Sequence, residues 1–218
     1  MRKIPLVKGS IYHIYTKSIA KFKIFQKNSE YKRLEKLFSY YRISKPPLRF
    51  SAFLQLKNQE AFLQNRLSQK ENIVEIIAYC IMPTHIHLMI KQLSENGISI
   101  FMKNVLNSYS RYFNLKIKRK GPLWQGRFQN KLVENEEQLL HLSRYIHLNP
   151  VSANLVNKPK NWQYSSYRYY LGLVNNSQNW LSNLYNYVES NPNFYENFVN
   201  DNLNYQKELE KIKHLILE

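Results

Sequence analysis

Hydrophobic and polar residues change period several times along this chain, and each change predicts an element. SIYHIYTKS (10–18) alternates and is rich in β-branched and aromatic residues, which predicts a strand. NSEYKRLEKLFSYYR (28–42) spaces Leu34, Leu37 and Phe38 for a helix, with Asn28 or Ser29 as its cap and SKPP (44–47) as its breaker. Residues 48–70 are ambiguous and have room for a short strand and helix. NIVEIIAYCIM (72–82) is apolar throughout, as expected of a central strand. Pro83 and Thr84 interrupt it, and HIHLMIKQ (85–92) predicts an antiparallel partner. Residues 97–120 predict a long helix ending in a basic cluster, and GPLWQGRFQNKLV (121–133) a turn followed by a strand. NEEQLLHLSRYIHLN (135–149) predicts a helix capped by Asn135, with two Glu in its first turn and Pro150 as its stop.

The resulting order is β-α-(insert)-β-β-α-β-α. It points to an α+β chain with a ferredoxin-like antiparallel sheet and helices on one face. Further helices are expected in WLSNLYNYVES and NYQKELEKIKHLILE. The expected division is a domain over 1–171, with an insert at about 45–72, followed by a C-terminal helical extension over 172–218.

Composition sharpens this picture. Of 218 residues 44% are hydrophobic, enough for a core, while 32 Lys and Arg against 15 Asp and Glu give a net charge of +17. Such a surface favours a polyanion, nucleic acid first. The charge is also uneven. Residues 1–29 hold seven Lys or Arg and residues 96–133 hold eight, with no acid in either block. The single cysteine, Cys80, excludes an intrachain disulfide and reads as a small core residue, which fits a reducing cytoplasm. No apolar run reaches the ~20 residues of a membrane span, and the N-terminus lacks the pattern of a signal peptide.

Two candidate chemistries emerge. On a strand His85 and His87 share a face, while Ile86, Leu88 and Ile90 take the other. Two adjacent imidazoles can grip a metal ion, but a His-x-His pair alone also fits two hydrogen-bonded histidines. On helix 135–149, Leu139, Leu142 and Ile146 form an apolar stripe, and Gln138, His141, Tyr145 and Asn149 recur on a neighbouring polar one.

AYCIMPTHIHLMI, GPLWQGRF, RYIHLNPVSANLV and WQYSSYRYY occur in that order. Together they resemble the REP-associated tyrosine transposases and the wider group of small single-tyrosine transposases with a His-hydrophobic-His nuclease motif. The resemblance runs from GSIYHIYTKS to about Leu171. It implies a ferredoxin-like nuclease that cuts single-stranded DNA beside hairpins through a covalent phosphotyrosine. By that resemblance His85 and His87 hold a divalent metal, Mg²⁺ or Mn²⁺, Tyr145 is the nucleophile, and Asn149 is the third ligand. Thr84 stands where such proteins usually carry Asn, and its hydroxyl can substitute in the turn. Residues 45–72 are longer than the family norm.

The basic residues then gain a role. Lys116, Lys118, Arg119 and Lys120, followed by Trp124, Gln125 and Arg127, combine cations with an aromatic ring as single-stranded DNA requires. Arg111 and Arg144 flank the expected site as phosphate contacts. WQYSSYRYY (162–170) reads as a docking segment. The expected protein is a bacterial, cytoplasmic and nucleoid-associated monomer or homodimer without a membrane partner. Two rival readings share the charge or the histidines: a transposase-derived nucleic-acid-binding protein without cleavage, and a metal-dependent hydrolase of small phosphoesters.

Overall fold

A computed structural model describes residues 5–59, 61–63, 71–175 and 180–202. Strands β1 (Ile11–Lys17), β2 (Val74–Ile81), β3 (His85–Gln92) and β4 (Gln129–Val133) form a four-stranded sheet in the order β2-β3-β1-β4. All neighbours are antiparallel, with His87 opposite Tyr15 and His85 opposite Lys17. This is the ferredoxin-like alternation expected from the sequence.

Helices α1 (Asn28–Tyr41) and α3 (Gly97–Lys116) make the two crossovers. They cover the sheet face carrying Tyr12, Ile14, Ile86, Leu88 and Ile90, burying Leu34, Leu37, Phe38, Phe101 and Val105 against it. The turn α2 (Phe50–Phe53) joins this layer through Phe50 and Phe53. The crossovers thus lie on one face, as expected, and a further layer covers the opposite one. There α4 (Glu136–Ser152), α5 (Tyr167–Tyr170) and α6 (Pro192–Asn200) pack on Ala78, Cys80, Met82 and Met89. A bulge between Ile76 and Ala78 shifts the β2 alternation by one residue. Ile76 and Tyr79 therefore face the α1 side, while Ile77 and Cys80 face α4.

Several expectations need correction. The apolar run 72–82 is the outermost strand of the sheet, not a central one. It reads as central because its outer edge is covered: Cys80 bridges Ser165, Ile76 bridges Leu181, and Ile81 N–H donates to Tyr164 O at 2.9 Å. Helix α4 continues through Pro150 to Ser152. Pro150 forfeits one amide bond near the helix end, while buried Val151 and the N–H groups of Ala153 and Leu155, which bond Asn149 O and Pro150 O, hold the last turn. Helix α3 stops at Lys116, because Lys118 takes a left-handed φ of 55°, and Lys118, Arg119 and Lys120 of the basic cluster lie beyond the end. The true N-cap of α1 is Lys27, since Glu30 accepts from the backbone N–H of Gln26 and Lys27 at 2.6 and 2.9 Å. WLSNLYNYVES holds only a single short turn at Leu184–Asn186. The helix in this region is α6, capped by Asn191 with Pro192 in its first turn. The helix expected in NYQKELEKIKHLILE and most of the ambiguous stretch after residue 63 lie outside the described residues.

Candidate active site

Strand alternation and antiparallel register build the site. β1 presents His13, Tyr15 and Lys17 on the α4 side, and β3 presents His85 and His87 beside them. The rings of His85 and His87 stand 5.0 Å apart between centroids, and Tyr15 stacks over His87 at 6.1 Å. Tyr145 comes from α4, whose Leu139, Ile146 and Leu148 are buried against the same face. Its ring meets His87 edge-on at 5.6 Å and His13 edge-on at 6.0 Å.

The histidines are held individually. His87 is 5% exposed, and its Nδ1 lies 3.0 Å from Nε2 of His13, itself 8% exposed. Burial drives both imidazoles toward the neutral form. His13 falls to about 4 through burial and the charge of Lys131. His87 falls well below its ordinary value through burial, then through His85, His13 and Lys17. Between two neutral rings one nitrogen donates and the other accepts. When His87 Nδ1–H is the donor, the lone pair of His87 lies on Nε2, the atom through which it would hold a metal. Thr84 Oγ1 lies 2.9 Å from His85 Nδ1, so the hydroxyl in the turn does engage the histidine that follows it. A metal borne by His85 would therefore be taken through Nε2.

Asn149 sits one turn beyond Tyr145, half-buried, and its Nδ2 donates to Tyr145 O at 2.8 Å. That bond uses the amide's N–H₂ and leaves Oδ1 as its acceptor atom. Among the described residues no three His, Cys, Asp or Glu side chains form a group that could hold a metal ion. His13 supports His87 rather than adding a ligand. Two imidazoles with one amide are compatible with Mn²⁺, and with Mg²⁺ if water and substrate oxygens fill the remaining positions.

The expected nucleic-acid contacts divide into groups. Gln125 N–H donates to Lys17 O at 2.9 Å and Trp124 bridges Ser18, so this run lies at the histidine end of the sheet. Trp124 is partly buried against Phe25 and Tyr109, and its Nε1 donates to Ser110 Oγ at 3.0 Å. Arg127, Lys118, Lys120 and Arg111 are exposed. Lys116 pairs with Glu30 at 2.6 Å, and Arg119 closes the turn after α3 by donating to Pro122 O at 2.7 Å. Arg111 lies on α3, across the sheet from Tyr145. Arg144 turns away from the histidines: its guanidinium lies 4.1 Å from the centre of the Phe198 ring and 2.8 Å from Nδ1 of His141. Tyr109 is fully buried, with its hydroxyl on Ile24 O at 2.7 Å, so it packs a helix.

Sequence reasoning missed His13, Tyr15 and Lys17. Their alternation in IYHIYTK was a usable signal, but only the β1–β3 register shows that this face meets His85 and His87.

The fold and this cluster define an α+β chain with a histidine pair and a tyrosine on facing elements. Comparison with known proteins gives the likeness a name. The family model described as "Transposase IS200 like" matches residues 55–149. A Haemophilus influenzae chain described as a REP-associated tyrosine transposase is 34% identical over 104 residues, which are 43% of this chain and 58% of that one. The chain thus spans less than two thirds of that relative. A solved structure of a REP-associated tyrosine transposase bound to a REP hairpin superposes with a TM-score of 0.54 at 16% identity, covering 84% of this chain and 92% of the other. The resemblance to REP-associated tyrosine transposases expected from the motifs is therefore found in both sequence and fold. Among the described residues no helix is long and apolar enough to cross a membrane.

Proposed function

We propose that this chain is a metal-dependent single-stranded DNA endonuclease and strand transferase that cuts and rejoins DNA near hairpins. Tyr145 is its nucleophile and a 5′-phosphotyrosine its intermediate. The observation that carries this reading is the Tyr145 ring set edge-on to His87 and His13, on a helix packed across the histidine face.

Tyr145 Oη attacks the phosphorus. The new O–P bond forms as the P–O3′ bond breaks, the phenol gives up its proton, and the departing oxygen gains one to become a 3′-hydroxyl. A second 3′-hydroxyl can reverse the step and join a new strand. Cleavage without hydrolysis preserves the phosphoester for rejoining. A phenol ordinarily titrates near ~10, so the reaction needs a nearby positive charge or a base. Lys17, opposite His85 in the register, is a cation at this end of the sheet. His85 and His87 through Nε2, with Asn149 through Oδ1, would hold Mg²⁺ or Mn²⁺. A bound ion there supplies Lewis-acid polarisation of a non-bridging phosphate oxygen. The hairpin in the solved REP transposase complex supports hairpin-bearing single strands as the substrate class.

The test is a denaturing gel of the protein incubated with labelled hairpin-bearing strands from the flanks of its own gene, with Mn²⁺ or Mg²⁺. A slow covalent adduct that vanishes in Tyr145→Phe and with chelator is the expected result. Cutting that survives Tyr145→Phe contradicts the assignment of the nucleophile. Binding without cutting favours a nucleic-acid-binding protein.

A further inference from the structure

WQYSSYRYY docks against the outer edge of β2. Trp162 Nε1 donates to Ile81 O at 3.2 Å, and Tyr79 N–H donates to Ser166 Oγ at 3.0 Å. Against Ser166 lies His147, a fully buried histidine of α4 that the nuclease chemistry does not use. It stands two residues after Tyr145 and two before Asn149. At ~3.6 residues per turn its side chain leaves the helix about 200° round from both. Tyr145 meets the histidine face of the sheet, whereas His147 meets the segments that follow α4 in the chain.

Both ring nitrogens of His147 are bonded. Nδ1 lies 2.7 Å from the Tyr195 hydroxyl and Nε2 2.7 Å from Ser166 Oγ. Burial pushes the imidazole down to about 3, so one nitrogen donates and the other accepts. Ser143 Oγ donates to Leu140 O at 2.7 Å and accepts from the Tyr195 hydroxyl at 2.8 Å. With that proton placed, the Tyr195 oxygen accepts from His147 Nδ1–H, and Nε2 accepts from the Ser166 hydroxyl. The Ser166 oxygen in turn takes the N–H of Tyr79. The chain of bonds thus runs from β2 through Ser166 and α4 to Tyr195 of α6, with a donor and an acceptor at every link. The apolar contacts of Ile146 and Leu148 are not directional and let a helix roll. A buried network satisfied at each member is directional and fixes one arrangement.

We propose that His147 is a positioning residue: held by Ser166 on one side and Tyr195 on the other, it fixes the rotation of α4 and so sets Tyr145 against His87. The proposal rests on Tyr145 being the nucleophile. It makes α6, which lies beyond the expected domain boundary at 171, part of what places that nucleophile. A reacting group misplaced by about 1 Å can lose about 10²-fold in rate.

The full chain is compared with His147→Leu, Tyr195→Phe and His147→Gln. Single-turnover adduct formation with Mn²⁺ on a labelled hairpin-bearing strand reads the chemistry, and affinity for the same strand in EDTA reads binding. Fluorine NMR of fluorotyrosine incorporated at Tyr145 reads the surroundings of that ring without cleavage. His147→Leu and Tyr195→Phe are expected to slow adduct formation about 10- to 100-fold while strand affinity stays within about twofold, and to move the Tyr145 resonance. His147→Gln, which keeps a donor and an acceptor, is expected to recover part of both effects. Tyr195→Phe keeps its ring and loses one hydroxyl, so it carries the test if His147→Leu does not fold. Parental rates in the folded variants, or an unmoved Tyr145 resonance, overturn the proposal. A loss of rate matched by an equal loss of strand affinity also overturns it, since that is the mark of a merely structural residue. A parent that forms no adduct defeats the nuclease reading, while the resonance still decides whether His147 places Tyr145.

Discussion

His13 holds the His87 ring from behind, and no motif marks it. The His85–His87 pair was legible because two imidazoles one residue apart on a strand must share a face. Tyr145 was legible only through the resemblance, because the chain has 17 tyrosines and helical spacing alone does not choose among them. His13 needed the register of β1 on β3, which a single sequence does not give. Arg144 could not be placed either, since its stacking on Phe198 depends on a helix that the apolar pattern had located elsewhere. A buried partner that fixes the tautomer of a ligating histidine supports metal affinity. We expect His13→Ala to weaken Mn²⁺ binding about 10- to 100-fold, and His13→Gln, which keeps a hydrogen-bonding group, to recover part of the loss. Calorimetric Mn²⁺ titration of the DNA-free protein checks this, and an unchanged affinity in His13→Ala would remove His13 from the site.

At the scale of elements, most of the alternation was readable while several boundaries were not. The strand 72–82 was recognised but misplaced within the sheet, because the segment covering its edge comes from about 85 residues later in the chain. Helix α6 carried its own signature in Asn191–Pro192, and the aromatic run before it drew the expected helix too early. Two contacts make element-level predictions. A Cβ at Gly97 would clash with Ile73 O, and that carbonyl is fixed by the N–H of Leu93. Gly97→Ala should therefore cost about 1–3 kcal/mol and lower Tm, as read by thermal melting. Glu30 joins the start of α1 to the end of α3. Its burial favours the neutral acid, but the bond and charge of Lys116 and two backbone N–H groups outweigh that and hold its pKa below the ordinary value. A depressed carboxylate stabilises the fold above its unfolded pKa, near ~4.3, and this contribution fades as pH falls toward the folded pKa. Glu30→Gln should cost about 1–3 kcal/mol at neutral pH, with the gap to the parent narrowing in that acid window. A gap independent of pH would contradict the ion pair's role.

For the whole molecule, the acid-free blocks of sequence point to a polyanion partner, and the structure separates two kinds of basic residue. Lys118, Lys120 and Arg127 are exposed, whereas Lys116 is tied to Glu30 and Arg119 to the turn after α3. Each phosphate contact on a single strand adds about 0.7 to the slope of log K against log salt. Removing Lys118, Lys120 or Arg127 should each lower that slope by up to about 0.7, while Lys116→Ala should mainly lower Tm. The histidine end of the sheet, the α3 terminus and the WQGR run lie at one end of the molecule, so one strand could touch all three. The central claim is that Tyr145 is the atom donor to the covalent link. The most direct measurement is protease digestion and mass spectrometry of the trapped protein–DNA adduct. A peptide carrying a 5′-linked nucleotide on Tyr145 is the predicted result. The same nucleotide on Tyr15, or on any other residue, would contradict the account.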